Sequence, residues 1–192
     1  MLNYILKSIE ESINIKNSLK KNIDIINSAA KLLVSVIKSG GKILICGNGG
    51  SATDAQHMAG ELVGRFEAER NGIPAIALTP DSALVTAVSN DYGFEHLFSR
   101  QVTALGQKGD ALIGITTSGN SKNIVNALKT AKDIGLYTIA MTGENGGNAE
   151  SNADIIIKVP SKRTCRIQEA HITIIHILCG IIENLCTSGE KS

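Results

Sequence analysis

Five short, almost uninterrupted apolar runs recur along this chain, at 43–46, 75–78, 111–115, 137–141 and 155–159, and helical patterns separate them. Such runs suit strands covered on both faces, because a strand with one wet face alternates apolar with polar residues. Helical spacing is expected near 51–64, 81–90, 94–106 and 121–134. The alternation predicts an α/β fold, a doubly wound parallel sheet of five strands. Neither a composition shift nor a repeat divides the chain, so residues 1–192 read as a single domain.

Both ends exceed what a five-stranded sheet needs. Residues 2–38 carry Leu2, Ile5, Leu6, Ile9 and Ile13, then Leu19, Ile23, Ile26, Leu33 and Ile37, at helical spacing. They predict one long or two consecutive amphipathic helices within 1–40, broken near Lys20-Lys21-Asn22. The last helix, 164–187, is apolar around most of its circumference, with Ile172, Ile174, Ile175, Ile177, Leu178, Ile181, Ile182 and Leu185. One small sheet cannot bury such a helix entirely, so self-association is expected.

Charge excludes some function classes. Lys plus Arg number 19 against 18 Asp plus Glu, a net charge of +1. Neither the basic footprint of a nucleic-acid binder nor a polybasic membrane-surface signature is present. No segment reads as a signal peptide or approaches a membrane span. Cys46, Cys165, Cys179 and Cys186 lack metal-type spacing, and three lie in apolar surroundings. The expectation is a reduced, cytoplasmic protein.

The first apolar run ends in Gly47-Asn48-Gly49-Gly50, with Ser51 placed as the N-cap of the next helix. That layout aims free backbone N–H groups and the positive end of a helix at one point, suiting an anionic or polyhydroxylated ligand. His57 and Glu61 follow at a spacing of four and share a helix face behind the loop. The pair serves acid–base chemistry, or is a solvated side-chain pair of small energy.

A second loop, Thr116-Thr117-Ser118-Gly119-Asn120-Ser121, leads from the run at 111–115 into a helix. Four hydroxyls at a helix N-terminus can bind one phosphate. Alternatively Ser121 does no more than cap its helix. In doubly wound folds ligands bind beyond the carboxyl ends of the strands, where both loops fall. The last helix adds Gln168, Glu169, His171 and His176, of which Gln168 and His176 can address one cavity. His176 within an apolar run is, taken alone, most often a core or interface residue.

Together these residues resemble a known family. Both loops match the sugar isomerase (SIS) domain, and the finer pattern resembles the phosphoheptose isomerases. The resemblance extends from the N-terminal helices to Leu185. It rests on Cys-Gly-Asn-Gly-Gly-Ser at 46–51, His57 with Glu61 and Arg65, Asn90-Asp91, Thr-Ser-Gly-Asn-Ser at 117–121, and Arg-Ile-Gln-Glu with two histidines at 166–176. It implies a flavodoxin-like sheet and a homotetramer with active sites between subunits. The implied reaction converts sedoheptulose 7-phosphate to glycero-manno-heptose 7-phosphate, the first step toward activated heptose for surface polysaccharide. By the same resemblance Asn48, Gly49, Gly50, Ser51, Glu61, Arg65, Asn90, Asp91, Thr116, Thr117, Ser118, Ser121 and Gln168 contact substrate. Glu61 and His176 carry the proton transfers, and His57, Glu61, Gln168 and His176 hold zinc. Where some members place an acid just before Arg-Ile-Gln-Glu, this chain has Cys165. A catalytically silent SIS protein, binding sugar phosphate or a replication initiator, is the alternative, but it has no need of both Glu61 and His176.

Overall fold

Alternation along the first strand divides the molecule into two cores: Ile43 and Ile45 enter one, Leu44 and Cys46 the other. The structure, a computed structural model, describes residues 1–79 and 81–187. Five strands, β1 (Ile43–Gly47), β2 (Ala75–Ala77), β3 (Ala111–Thr116), β4 (Tyr137–Thr142) and β5 (Ile155–Lys158), form a parallel sheet in the order β2-β1-β3-β4-β5. The helices are α1 (Leu2–Ser18), α2 (Ile23–Lys38), α3 (Gly50–Val63), α4 (Ser82–Tyr92), α5 (Leu97–Leu105), α6 (Lys122–Asp133) and α7 (Thr164–Thr187). The core on one face is completed by α2, α3 and α7, and the core on the other by α5 and α6 with α4 beside them.

Most expected elements are present. The break near Lys20-Lys21-Asn22 is a 3-10 turn, Leu19–Asn22, between α1 and α2. One expected helix, 94–106, is instead a 3-10 turn at Phe94–His96 followed by α5. Just upstream Gly93, with a φ of 90, ends α4.

The long helix α7 is seated on the sheet by Ile167, Ala170, Ile174, Ile175, Leu178, Cys179 and Ile182. The reading that no segment approaches a membrane span needs correcting, because Thr164–Cys186 is long and apolar enough to cross one. Its apolar character has another cause: one side of the helix forms part of the core of this face.

His171, on the inner face of α7, is fully buried, and its Nε2 lies 3.2 Å from the Thr142 carbonyl at the end of β4. Burial lowers its pKa from 6.5 to about 4, with the bond to Thr142 opposing. The unfolded chain therefore binds the proton more readily between these values, and stability falls as pH falls through that window. The loss should approach ~3 kcal/mol by pH 4, at about 1.36 kcal/mol for each pH unit crossed between the two values. Urea unfolding of the parent and of His171→Gln, from pH 7 to 4, checks this. The variant should lose less stability over that range, and identical profiles would sink the assignment.

Candidate active site

The strand order reverses direction between β1 and β3, and both loops singled out in the sequence leave the sheet there. Adjacent strands stand ~4.8 Å apart, so the two loops are neighbours at the crevice where such folds bind ligands. After β1 the chain turns at Gly49, whose φ of 57 favours glycine, and α3 winds from Gly50. Ser51 is therefore not the N-cap expected of it. Gly49 occupies that position without a side-chain cap, because the turn closes before Ser51 is reached. Ser51 is buried in the first turn, its N–H donating to the Asn48 carbonyl at 3.0 Å. Asn48 exchanges two amide hydrogen bonds with Asn123 of α6, at 2.9 and 2.8 Å, which ties the first loop to the helix that follows the second.

Behind that loop three side chains converge from two helices. His57 Nε2 lies 3.1 Å from Glu61 Oε1 on α3 and 3.0 Å from His176 Nε2 on α7. Phe66 packs against the His176 ring with centroids 5.6 Å apart. Two ring nitrogens and a carboxylate oxygen lie within 4.8 Å of one another, close enough to hold one ion. That nitrogen and oxygen set suits a divalent ion such as zinc, with further positions open to other ligands. Gln168 reaches the same region from the first turn of α7 and packs so closely on Gly50 that a Cβ there would strike its amide. A cleft of about 340 Å³ opens here, lined by Gly50, Thr53, Asp54, His57, Gln168 and Glu169. Burial raises the Asp54 carboxyl pKa against the opposing influence of His57.

The second loop is built from hydroxyls. Thr116 Oγ1, at the end of β3, lies 3.1 Å from Ser121 Oγ and 3.4 Å from Ser118 Oγ. Ser121 stands at the N-cap position of α6, yet its hydroxyl makes no bond to the helix. The capping alternative therefore fails, and the hydroxyl faces the loop. Gly119 takes a φ of 70 and approaches Gly146 too closely for any Cβ, which keeps the loop tight against its neighbour. Beside it lies a second cleft, about 320 Å³, lined by Thr117, Ser118, Asn120, Ser161, Lys162 and Thr164 among others. Ile167 lines this cleft and Gln168 the first, so one turn of α7 stands between them.

Other expected residues lie apart. Arg65 is exposed in the segment after α3. Asn90 and Asp91, at the last turn of α4, are exposed, bonded to each other at 2.9 Å, and line neither cleft. Cys165 is exposed on the first turn of α7, its thiol pKa lowered chiefly by a hydrogen bond with Arg166. The sequence reading missed Asn123, Asp54 and Lys162. Only Asp54 left a signal, one helical turn before His57, whereas the other two reach the site through tertiary packing.

Comparison with known proteins agrees with this fold. The SIS domain family profile matches residues 9–143. A phosphoheptose isomerase of Aliarcobacter butzleri is 55% identical over 159 residues, covering 83% of this chain and 84% of that protein. One from Aneurinibacillus thermoaerophilus is 50% identical over 186 residues, covering 95% and 94%. The solved structure of a phosphoheptose isomerase from Francisella tularensis is 45% identical, superposes with a TM-score of 0.92, and covers 95% of this chain and 98% of that one.

If the hydroxyl loop holds a phosphate, Ser121→Ala removes one charge-assisted hydrogen bond and weakens binding of a phosphorylated sugar by about 1–3 kcal/mol. Calorimetric titration measures this directly. Unchanged affinity would assign the phosphate elsewhere.

Proposed function

The chain belongs to the phosphoheptose isomerases of the SIS domain family, and from that premise we propose that it converts sedoheptulose 7-phosphate to D-glycero-D-manno-heptose 7-phosphate. The observation that carries this reading is the meeting of Glu61 with His57 and His176, next to a hydroxyl loop at the same sheet edge. A silent sugar-phosphate binder needs the loop but not the converging acid and bases.

The reaction moves hydrogen from C1 of a ketose to C2 of an aldose through an enediol. A base must take the proton from C1, and a proton must be delivered to C2, while the two oxygens exchange protons. Glu61 Oε1 faces His57, which leaves the other carboxylate oxygen for the carbon-bound proton. His176, 3.0 Å from His57, would move a proton at the sugar oxygens. General acid–base catalysis of this kind contributes ~10²–10⁴-fold. The phosphate, held by Ser118, Ser121 and the amide groups of the second loop, lies remote from the reacting carbons. Its binding energy therefore serves positioning. In this reading Gly50 and Gln168 in the first cleft, Thr117 in the second, and Asn48, Gly49, Ser51 and Thr116 in the two loops would contact the sugar, as would Arg65, Asn90 and Asp91 if a second subunit brings them to it.

His57, Glu61 and His176, with Gln168 beside them, would hold one zinc ion. When bound, such an ion supplies Lewis-acid polarisation of the sugar's oxygens. The assembly is a homotetramer with shared sites. Its support is α1, which buries none of its residues and leaves Leu2, Ile5, Leu6, Ile9 and Ile13 exposed, together with Ile177 and Leu185 on α7. The enzyme works in the cytoplasm, at the first step toward activated heptose for surface polysaccharide.

Glu61→Gln keeps shape and removes the base, so turnover of sedoheptulose 7-phosphate should fall by about two orders of magnitude or more while binding stays measurable. In deuterated water the parent should place label at C2 of the product. Parental turnover by the variant, or binding without isomerisation by the parent, would overturn the mechanism.

Metal is tested separately. Protein purified without chelator should contain zinc by elemental analysis, and His57→Ala with His176→Ala should not. Full activity in protein that takes up no zinc would make both histidines substrate or packing residues. Light scattering should give the mass of four chains, against which a stable active monomer at micromolar concentration would count decisively.

A further inference from the structure

A buried ion pair lies immediately behind the catalytic cluster. Arg70 Nε lies 3.0 Å from Glu183 Oε2, with side chains 1% and 4% exposed. Neither residue lines the two clefts. Arg70 sits in the segment after α3, whereas Glu183 stands on α7 seven residues beyond His176, two turns along the same face.

The rest of the Arg70 fork points at the end of α3. Its two terminal nitrogens donate to the carbonyls of Glu61 at 2.8 Å, Leu62 at 2.8 Å, Gly64 at 3.3 Å and Asn71 at 2.9 Å. Helix carbonyls in the last turn have no partner of their own, and here a guanidinium supplies one. The Glu61 carbonyl belongs to the residue that must deliver its carboxylate to the reacting carbon. Glu183 in turn accepts from three successive N–H groups, those of Phe66 at 3.0 Å, Glu67 at 3.0 Å and Ala68 at 2.8 Å. That hold places Phe66, whose ring packs on His176. Burial alone would raise the Glu183 pKa, but the bonds from Ala68, Glu67, Phe66 and Arg70 outweigh it and keep the carboxyl ionised below the usual range.

We infer that Arg70 and Glu183 are positioning residues that set the spacing of Glu61 and His176 by clamping the end of α3 to α7. The chain of contacts is direct. Arg70 fixes the backbone of Glu61, Glu183 fixes Arg70 and the segment carrying Phe66, and Phe66 presses on His176. Two helices that share few covalent constraints, and whose catalytic side chains lie 115 positions apart in sequence (176 less 61), are thereby held in one arrangement. Catalytic groups tolerate misplacement poorly, and a shift near 1 Å can lower turnover about 10²-fold.

The inference rests on the proton-transfer roles proposed for Glu61 and His176. Two variants test it. Arg70→Lys keeps a cation against Glu183 but replaces the planar fork with one point donor, so the Glu61 carbonyl loses its partner, whereas that of Leu62 keeps the Ile73 N–H at 2.9 Å. The double variant Arg70→Met, Glu183→Met removes the pair without leaving a buried charge alone. Each is compared with the parent well below its melting temperature, with the circular dichroism spectrum verified. Expected results are a fall in kcat of about tenfold or more, KM altered less than about threefold, and affinity for Co²⁺ at the His57–Glu61–His176 cluster weakened by ~10–100-fold. Cobalt absorption titration reads the last quantity without any turnover. Parental kcat and cobalt affinity in both folded variants overturns the inference, and so does loss of the fold in both, which makes the pair an element of stability alone. Glu61→Gln separates the two levels of argument: if it is inactive while Arg70→Lys is parental, only the clamp fails. If Glu61→Gln is fully active, the proton-transfer assignment fails first.

Discussion

The seating of α7 on the sheet is the constraint on which the rest depends. Its apolar face, from Ile167 to Ile182, is held against α2 and α3 within the core that covers this face of the sheet. Burial of each such side chain contributes on the order of 1.5–3 kcal/mol, so the position of the helix is strongly determined. Once it lies there, its polar residues have no freedom to be elsewhere. Gln168 meets Gly50, His171 meets the end of β4, His176 meets His57, and Glu183 meets the segment after α3. Chemistry on this helix is positioned by hydrophobic packing that takes no part in the chemistry.

In the function proposed above, the two clefts would divide the work. Around the His57–Glu61–His176 cluster, nitrogen and carboxylate groups can exchange protons and hold an ion. Around the second loop, hydroxyls and a helix start can hold an anion, with Lys162 near its rim, paired to Glu144 at 3.3 Å. Only a ligand long enough to pass the first turn of α7 reaches both. The proposed substrate, a phosphorylated sugar, would offer an anionic end to the hydroxyl loop and a carbonyl end to the acid and bases.

Legibility in the sequence varied with the range of the interaction. Strand and helix positions were readable because periodicity is local, and the break at Leu19–Asn22 fell where Lys20-Lys21-Asn22 interrupts the apolar spacing. Ser51 was misplaced because the propensity of serine for N-caps competes with a glycine able to take φ 57, and the glycine comes first. The apolar character of α7 is plain in the sequence, but its histidines and Glu183 interrupt the run and hide that its length and hydropathy suffice for a span. Asn123 and the Arg70–Glu183 pair left no local pattern, since each acts on residues brought near only by the sheet order.

By itself the sequence determined the class of fold, the two loops at the sheet edge and the residue types available for acid–base and phosphate chemistry. These follow from period, turn propensity and side-chain functional groups, which are properties of short segments. Tertiary structure alone decided which of those groups meet. It brought His176 to His57 across 119 positions, turned Ser121 away from its helix and toward Thr116, and left Asn90 and Asp91 outside both clefts. The physical reason is that distances between helices are set by how buried side chains interlock across the whole sheet, a sum over contacts that no single segment contains.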